Sequence, residues 1–195
     1  MKKFIPFLFL IFFLGCDRGP LIKDFKIDGI GLGDSLLDNF TKQEILGAIE
    51  RDWDMYPSLD DTYKQISFFA INQDYDHLDF FVKPDDPEYL TYSVGGRINY
   101  DNDLEGCLRK KDEIINEFIS MFNNVERSDY DNIPFSQDSS GESVSYSAIF
   151  ALPTGVEIGI TCNSYGSNLE KEFSLIDNFS VTIDTPEFIE WMYIY

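Results

Sequence analysis

Apolar residues recur at strand spacing through the middle and end of the chain, and at helical spacing in one long run between those regions. Residues 25–30 (FKIDGI) alternate apolar and polar and predict a first strand. Thr41-Lys42-Gln43-Glu44 is a capping box, in which hydroxyl and carboxylate each satisfy a backbone N–H across one turn. Ile45, Leu46 and Ile49 give the helix behind it an apolar stripe through about Arg51. Residues 53–61 (WDMYPSLDD) read as a loop. Residues 64–71, 78–82 and 90–100 predict an antiparallel meander, the third strand broken by a bulge at Gly95-Gly96.

The strongest helix covers residues 104–122, where Leu104, Cys107, Leu108, Ile115, Phe118, Ile119 and Phe122 fall three and four apart. Residues 123–141 are polar and turn-rich and predict an exposed loop. A hairpin follows, with strands at 144–152 and 156–162 around Pro153-Thr154-Gly155. A last strand at 179–183 precedes a short helix that starts at Pro186. The order β-α-βββ-α-ββ-β-α defines an α+β class: an antiparallel sheet of meander plus hairpin, with a long amphipathic helix packed on one face.

The first residues have a different character. Met1-Lys2-Lys3 is a short positive stretch, and residues 4–14 (FIPFLFLIFFL) are continuously apolar. A spanning helix needs about 20 such residues, so this run is too short for a permanent anchor and has the length of a secretory core. It ends in Phe13-Leu14-Gly15-Cys16, which resembles the lipobox of bacterial lipoproteins: a small residue before an obligatory Cys. The resemblance implies that residues 1–15 are a signal peptide. It also implies that the Cys16 sulfur carries a diacylglyceryl group with palmitate-class chains and becomes the new N-terminus. Each buried methylene contributes about 0.8 kcal/mol, so several chains hold a protein firmly to a leaflet. Residues 16–24 then read as a tether containing Gly19 and Pro20, and residues 25–195 as a single α+β domain. The expected address is the bacterial cell envelope, on the periplasmic or extracellular side of a membrane, as in other small bacterial lipoproteins.

Charge narrows the partners. The chain carries a net charge of -20, and the leader supplies only Lys2 and Lys3 to it, so the mature domain is more acidic still. Such a field repels nucleic acid phosphates and anionic headgroups and favours a basic protein partner. It also keeps an exported domain soluble. With Cys16 committed to lipid, Cys107 and Cys162 remain. Cys107 lies on the apolar stripe of the long helix, and Cys162 shares the inward face of its strand with Val156, Ile158 and Ile160. An oxidising compartment lets such a pair persist, so a Cys107–Cys162 disulfide is expected; two free buried thiols acting as small apolar residues are the alternative.

Two short motifs invite chemistry. Gly33-Asp34-Ser35-Leu36 resembles the nucleophile block of the GDSL or SGNH hydrolases, which implies a small serine esterase using Ser35. That chemistry needs a base and oxyanion donors as well as a hydroxyl. The family's Gly-x-Asn-Asp block is absent, and the one histidine, His77, stands 42 residues after Ser35 in Asp74-Tyr75-Asp76-His77. The plainer reading makes Ser35 the cap of a short helix behind a glycine turn. Asp101-Asn102-Asp103-Leu104-Glu105-Gly106 resembles the opening of an EF-hand loop, with Asp112 at the twelfth position, which implies a calcium-binding module. The plainer reading is a helix N-terminus whose acids suit its dipole. No complete catalytic, cofactor or metal set emerges. The sequence reads as a membrane-tethered, acidic binding protein.

Overall fold

The computed structural model describes residues 25–49, 60–72, 74–122 and 125–194. The leader, Cys16, the tether and most of the expected loop at 53–61 lie outside the described residues.

A seven-stranded antiparallel sheet organises the chain, in the order β1-β2-β3-β7-β6-β5-β4. Its strands are β1 (Lys64–Phe69), β2 (His77–Val82), β3 (Thr91–Asn99), β4 (Glu126–Pro134), β5 (Val144–Ala151), β6 (Glu157–Ser164) and β7 (Asn178–Asp184). The helices are α1 (Lys42–Ile49), α2 (Leu104–Met121), α3 (Ser167–Phe173) and α4 (Pro186–Ile194). The last strand enters the middle of the sheet. β7 pairs with β3 on one side and β6 on the other, and so joins the meander to the hairpin.

One face of the sheet is apolar. Leu78, Phe80 and Val82 of β2, Ile158, Ile160 and Cys162 of β6, and Phe179 and Ile183 of β7 are buried on it. The same core cluster contains Ile45 and Ala48 of α1, and Cys107, Ile115 and Phe118 of α2. The disulfide Cys107–Cys162 ties α2 to β6, with Cα atoms 5.9 Å apart. About three turns further along α2, the Phe118 ring lies 4.5 Å from that of Phe150 on β5. The capping box at α1 forms as expected: Thr41 N donates to Glu44 Oε2 at 2.8 Å, and Glu44 N to Thr41 Oγ1 at 3.3 Å.

Three expectations fail for local reasons. Residues 25–30 form no strand: Ile27 and Ile30 bond each other across Asp28-Gly29, whose φ values of 53° and 87° close a tight turn. Asp-Gly suits such a turn because both central residues must take φ > 0. The bulge in the meander lies between Phe81 and Val82, and β3 runs unbroken through Gly95 and Gly96. Gly96 is there for room, since a Cβ would meet the Tyr75 ring at 2.6 Å and Ile27 Cγ2 at 2.8 Å. A Gly96→Ala variant is therefore expected to lose about 1–3 kcal/mol to overpacking, read as a lower urea midpoint at unchanged slope. The third failure is β4, which occupies the stretch expected to be loop. All nine of its residues are exposed, so it lies at the sheet edge with no buried face to write an alternation into the sequence.

Candidate functional site

Strand alternation sends half of each strand's residues to the second face of the sheet, and the pairing register sets them in rows. A central row runs Ser67, Asp79, Gly95, Thr182, Gly159, Ile149 across β1, β2, β3, β7, β6 and β5. On one side of it lie Phe81, Ser93, Asp184 and Glu157; on the other lie His77, Arg97, Ser180, Thr161 and Ser147. Apart from Phe81 and Ile149, these rows are polar side chains and glycines, where the first face is hydrocarbon.

The polar groups on it are largely engaged with one another. Asp79 accepts from Ser67 Oγ at 2.5 Å and pairs with Arg97 Nε at 2.8 Å. Thr161 donates to Ser147 Oγ at 3.0 Å. Asp184 accepts from Ser93 Oγ at 2.5 Å and from Thr182 Oγ1 at 3.2 Å. Burial pushes the Asp184 carboxyl up to about 6 against the pull of these two hydroxyls, and the neighbouring Glu157 charge adds to the rise.

Helix α4 stands on one end of this face. Its Phe188 and Trp191 pack with Tyr63 in a small second core, and the Phe188 ring lies 4.5 Å from that of Phe81. Two polar contacts fix the helix: Trp191 Nε1 donates to Asp60 Oδ1 at 2.7 Å, and Lys83 Nζ pairs with Glu187 Oε1 at 2.6 Å. Between α4 and strands β5, β6 and β7 a cavity of about 240 Å³ remains. Its floor holds Ser147, Gly159, Thr161 and Thr182, one end holds Glu157 and Asp184, and Phe188, Ile189, Met192 and Tyr193 form the wall.

The motifs singled out in the sequence lie elsewhere. Ser35 caps a 3-10 turn over Leu36–Asp38, accepting from Leu37 N at 3.2 Å while its hydroxyl donates to Glu88 O at 2.5 Å. Its bridge partner is Leu90, just before β3, whereas His77 faces Arg97 near the other end of that strand. Seven residues at about 3.3 Å each separate the two by roughly 20 Å, and the His77 ring instead lies 5.1 Å from that of Phe69. A Ser35→Ala variant should lose about 1 kcal/mol of stability with the cap, with no change in p-nitrophenyl acetate turnover.

In the calcium-like loop, Asp103 is the N-cap of α2 and accepts from Gly106 N at 2.9 Å. Asp112 is exposed on α2, nine residues further along, which at about 1.5 Å per residue puts it some 13 Å away. Among the described residues no group of three His, Cys, Asp or Glu side chains converges to hold a metal ion. Nor is any described helix long and apolar enough to cross a membrane.

Comparison of the chain with protein-family models, with curated proteins and with solved structures gave no match. Glu157, Asp184, Asp79 and Arg97 carry no motif and were not singled out from the sequence. Their signal is the polar half of the alternation: Glu157, Gly159 and Thr161 interleave with Ile158, Ile160 and Cys162, and Ser180, Thr182 and Asp184 with Phe179, Val181 and Ile183.

Proposed function

We propose that this chain is a membrane-tethered, acidic lipoprotein of the bacterial cell envelope that acts by binding a basic partner, without catalysis of its own. In this reading residues 1–15 are removed, the acylated Cys16 holds the protein to a leaflet, and residues 25–195 form one domain in which α2 is the amphipathic layer over the apolar sheet face. The polar face is left for recognition.

The observation that carries the binding role is the composition of that second face. A sheet face meant for a second core layer is apolar; this one presents Ser147, Thr161, Ser180, Thr182 and the Asp79–Arg97 pair in register across its strands. The net charge of -20 supports a basic partner, because complementary fields speed encounter and disfavour anionic competitors. The lipobox resemblance and a disulfide that suits an oxidising compartment support the address.

Two experiments test it. Metabolic labelling with an alkyne fatty acid should mark the wild-type protein and leave Cys16→Ser unmarked; equal labelling of both would remove the tether. Site-specific photocrosslinking in cells should capture a basic protein from Thr161 or Ser180, and not from Asp112 on the exposed side of α2. Equal capture from both surfaces, or none from the sheet face, would remove the binding role.

A further inference from the structure

The cavity under α4 combines two features that constrain its occupant. Glu157 and Asp184 are register partners on neighbouring strands, which sets their Cβ atoms about 4.5–5.5 Å apart on the same face. Among the described residues neither carboxylate forms an ion pair; Asp184 is bonded only to the Ser93 and Thr182 hydroxyls. Opposite them, Phe188, Ile189 and Met192 present hydrocarbon, and Gly159 leaves the floor open where any side chain would rise. A Cβ at Gly159 would already meet Thr182 Oγ1 at 2.7 Å.

These features exclude most ligand classes. Anions meet two uncompensated carboxylates. A hard metal cation wants about six to eight oxygen ligands and gains nothing from an apolar wall. A neutral apolar molecule leaves the carboxylate end unused. A cation on a short hydrocarbon stem matches both halves: charge against Glu157 and Asp184, methylenes against α4. The cavity of about 240 Å³ is also below the roughly 300–1,000 Å³ typical of drug-sized ligands, which favours something the size of one side chain.

Extending the binding role argued above, and resting on it, we propose that the cleft between α4 and strands β5, β6 and β7 is a site for a single alkylammonium or guanidinium group. A lysine or arginine side chain of a basic partner and a small free amine share this chemistry. Burial of Asp184 at this spot adds support, since ionisable groups held in unfavourable surroundings concentrate at functional sites.

The test is a titration of the full-length protein at low salt, following the amide signals of Gly159 and Thr161 by NMR. The probes are n-pentylamine, its neutral counterpart 1-pentanol, and a blocked tripeptide with lysine at its centre. The amine or the lysine peptide should saturate these signals, and 1-pentanol should bind at least tenfold more weakly. Glu157→Gln and Asp184→Asn should each weaken binding at least tenfold with the circular dichroism spectrum unchanged. Asp112→Asn removes the same charge from a remote exposed site and should leave the affinity as it was. Tighter binding of the peptide assigns the site to a protein side chain; binding of pentylamine alone assigns it to a free amine. Equal affinity for amine and alcohol, or equal weakening by Asp112→Asn and Glu157→Gln, would overturn the site. Crosslinking from Ser180, which does not line the cleft, reports separately, so the cleft can fail while the binding role stands.

Discussion

Reducing the Cys107–Cys162 bond is expected to lower the melting temperature by roughly 10 °C, with most of the secondary structure still formed below the transition. The bond closes a loop of 55 residues in sequence. In the chain-entropy model, constraining a loop of that length in the unfolded state is worth about 4 kcal/mol. Domains of this size hold about 5–15 kcal/mol in all, and about 1 kcal/mol moves the midpoint by about 2–4 °C. Both sulfurs are fully buried, so a Cys107→Ala/Cys162→Ala double variant keeps an apolar environment apolar and loses chiefly the link. Melting curves with and without dithiothreitol give the answer. The wild type should fall to the midpoint of the double variant, and the double variant should not respond to the reductant. An unmoved wild-type curve would show that the link contributes nothing to stability.

The pairing itself was legible because each cysteine sits in a pattern with a clear phase. Cys107 falls on the stripe of α2, and Cys162 on the inward side of β6 with Ile158 and Ile160. Where phase is clear, inward positions can be read directly, as in β2, whose buried Leu78, Phe80 and Val82 alternate with half-buried neighbours. Phase fails at edges and turns. β4 has no buried residue, and its partner β5 supplies all the order it has. Helix α3 buries Leu169 alone, so seven residues carry no stripe to find. Asp28-Gly29 is a hairpin signal embedded in an alternating stretch, and the alternation masks it. Ser35 was readable as a cap because capping is a local contest between a hydroxyl and nearby N–H groups. The cleft was not readable, because it depends on where α4 comes to rest on the sheet. That placement rests on distant partners: Trp191 on Asp60, Glu187 on Lys83, and Phe188 on Phe81.

Replacing Asp184 by asparagine is expected to stabilise the protein at pH 8 by about 2–3 kcal/mol and to change little at pH 4. The ordinary carboxyl value is 3.8, and in the folded chain burial raises Asp184 to about 6. Between these values the native state holds a proton that the unfolded state has released, so stability falls as pH rises through that window. The favourable contribution is complete below 3.8 and is gone above about 6. A shift of about two pH units corresponds to about 3 kcal/mol, of which asparagine recovers the larger part because it is never charged. It retains one acceptor for the Ser93 or Thr182 hydroxyl. Thermal midpoints of the two proteins should therefore converge at pH 4 and separate by about 5–10 °C at pH 8. Parallel curves across that range would show that Asp184 is ordinarily solvated. The groups facing it are Glu157 on β6 and Tyr193 on α4, and burial together with the Glu157 charge holds the Tyr193 hydroxyl above its usual range. Glu157→Gln should accordingly move the wild-type transition to lower pH, by relieving the like charge across the strand pair. The same Asp184→Asn change that raises the midpoint should weaken capture of an alkylammonium group in the cleft at least tenfold. Stability and binding then move in opposite directions on one substitution, a result that a purely structural role for this aspartate does not produce.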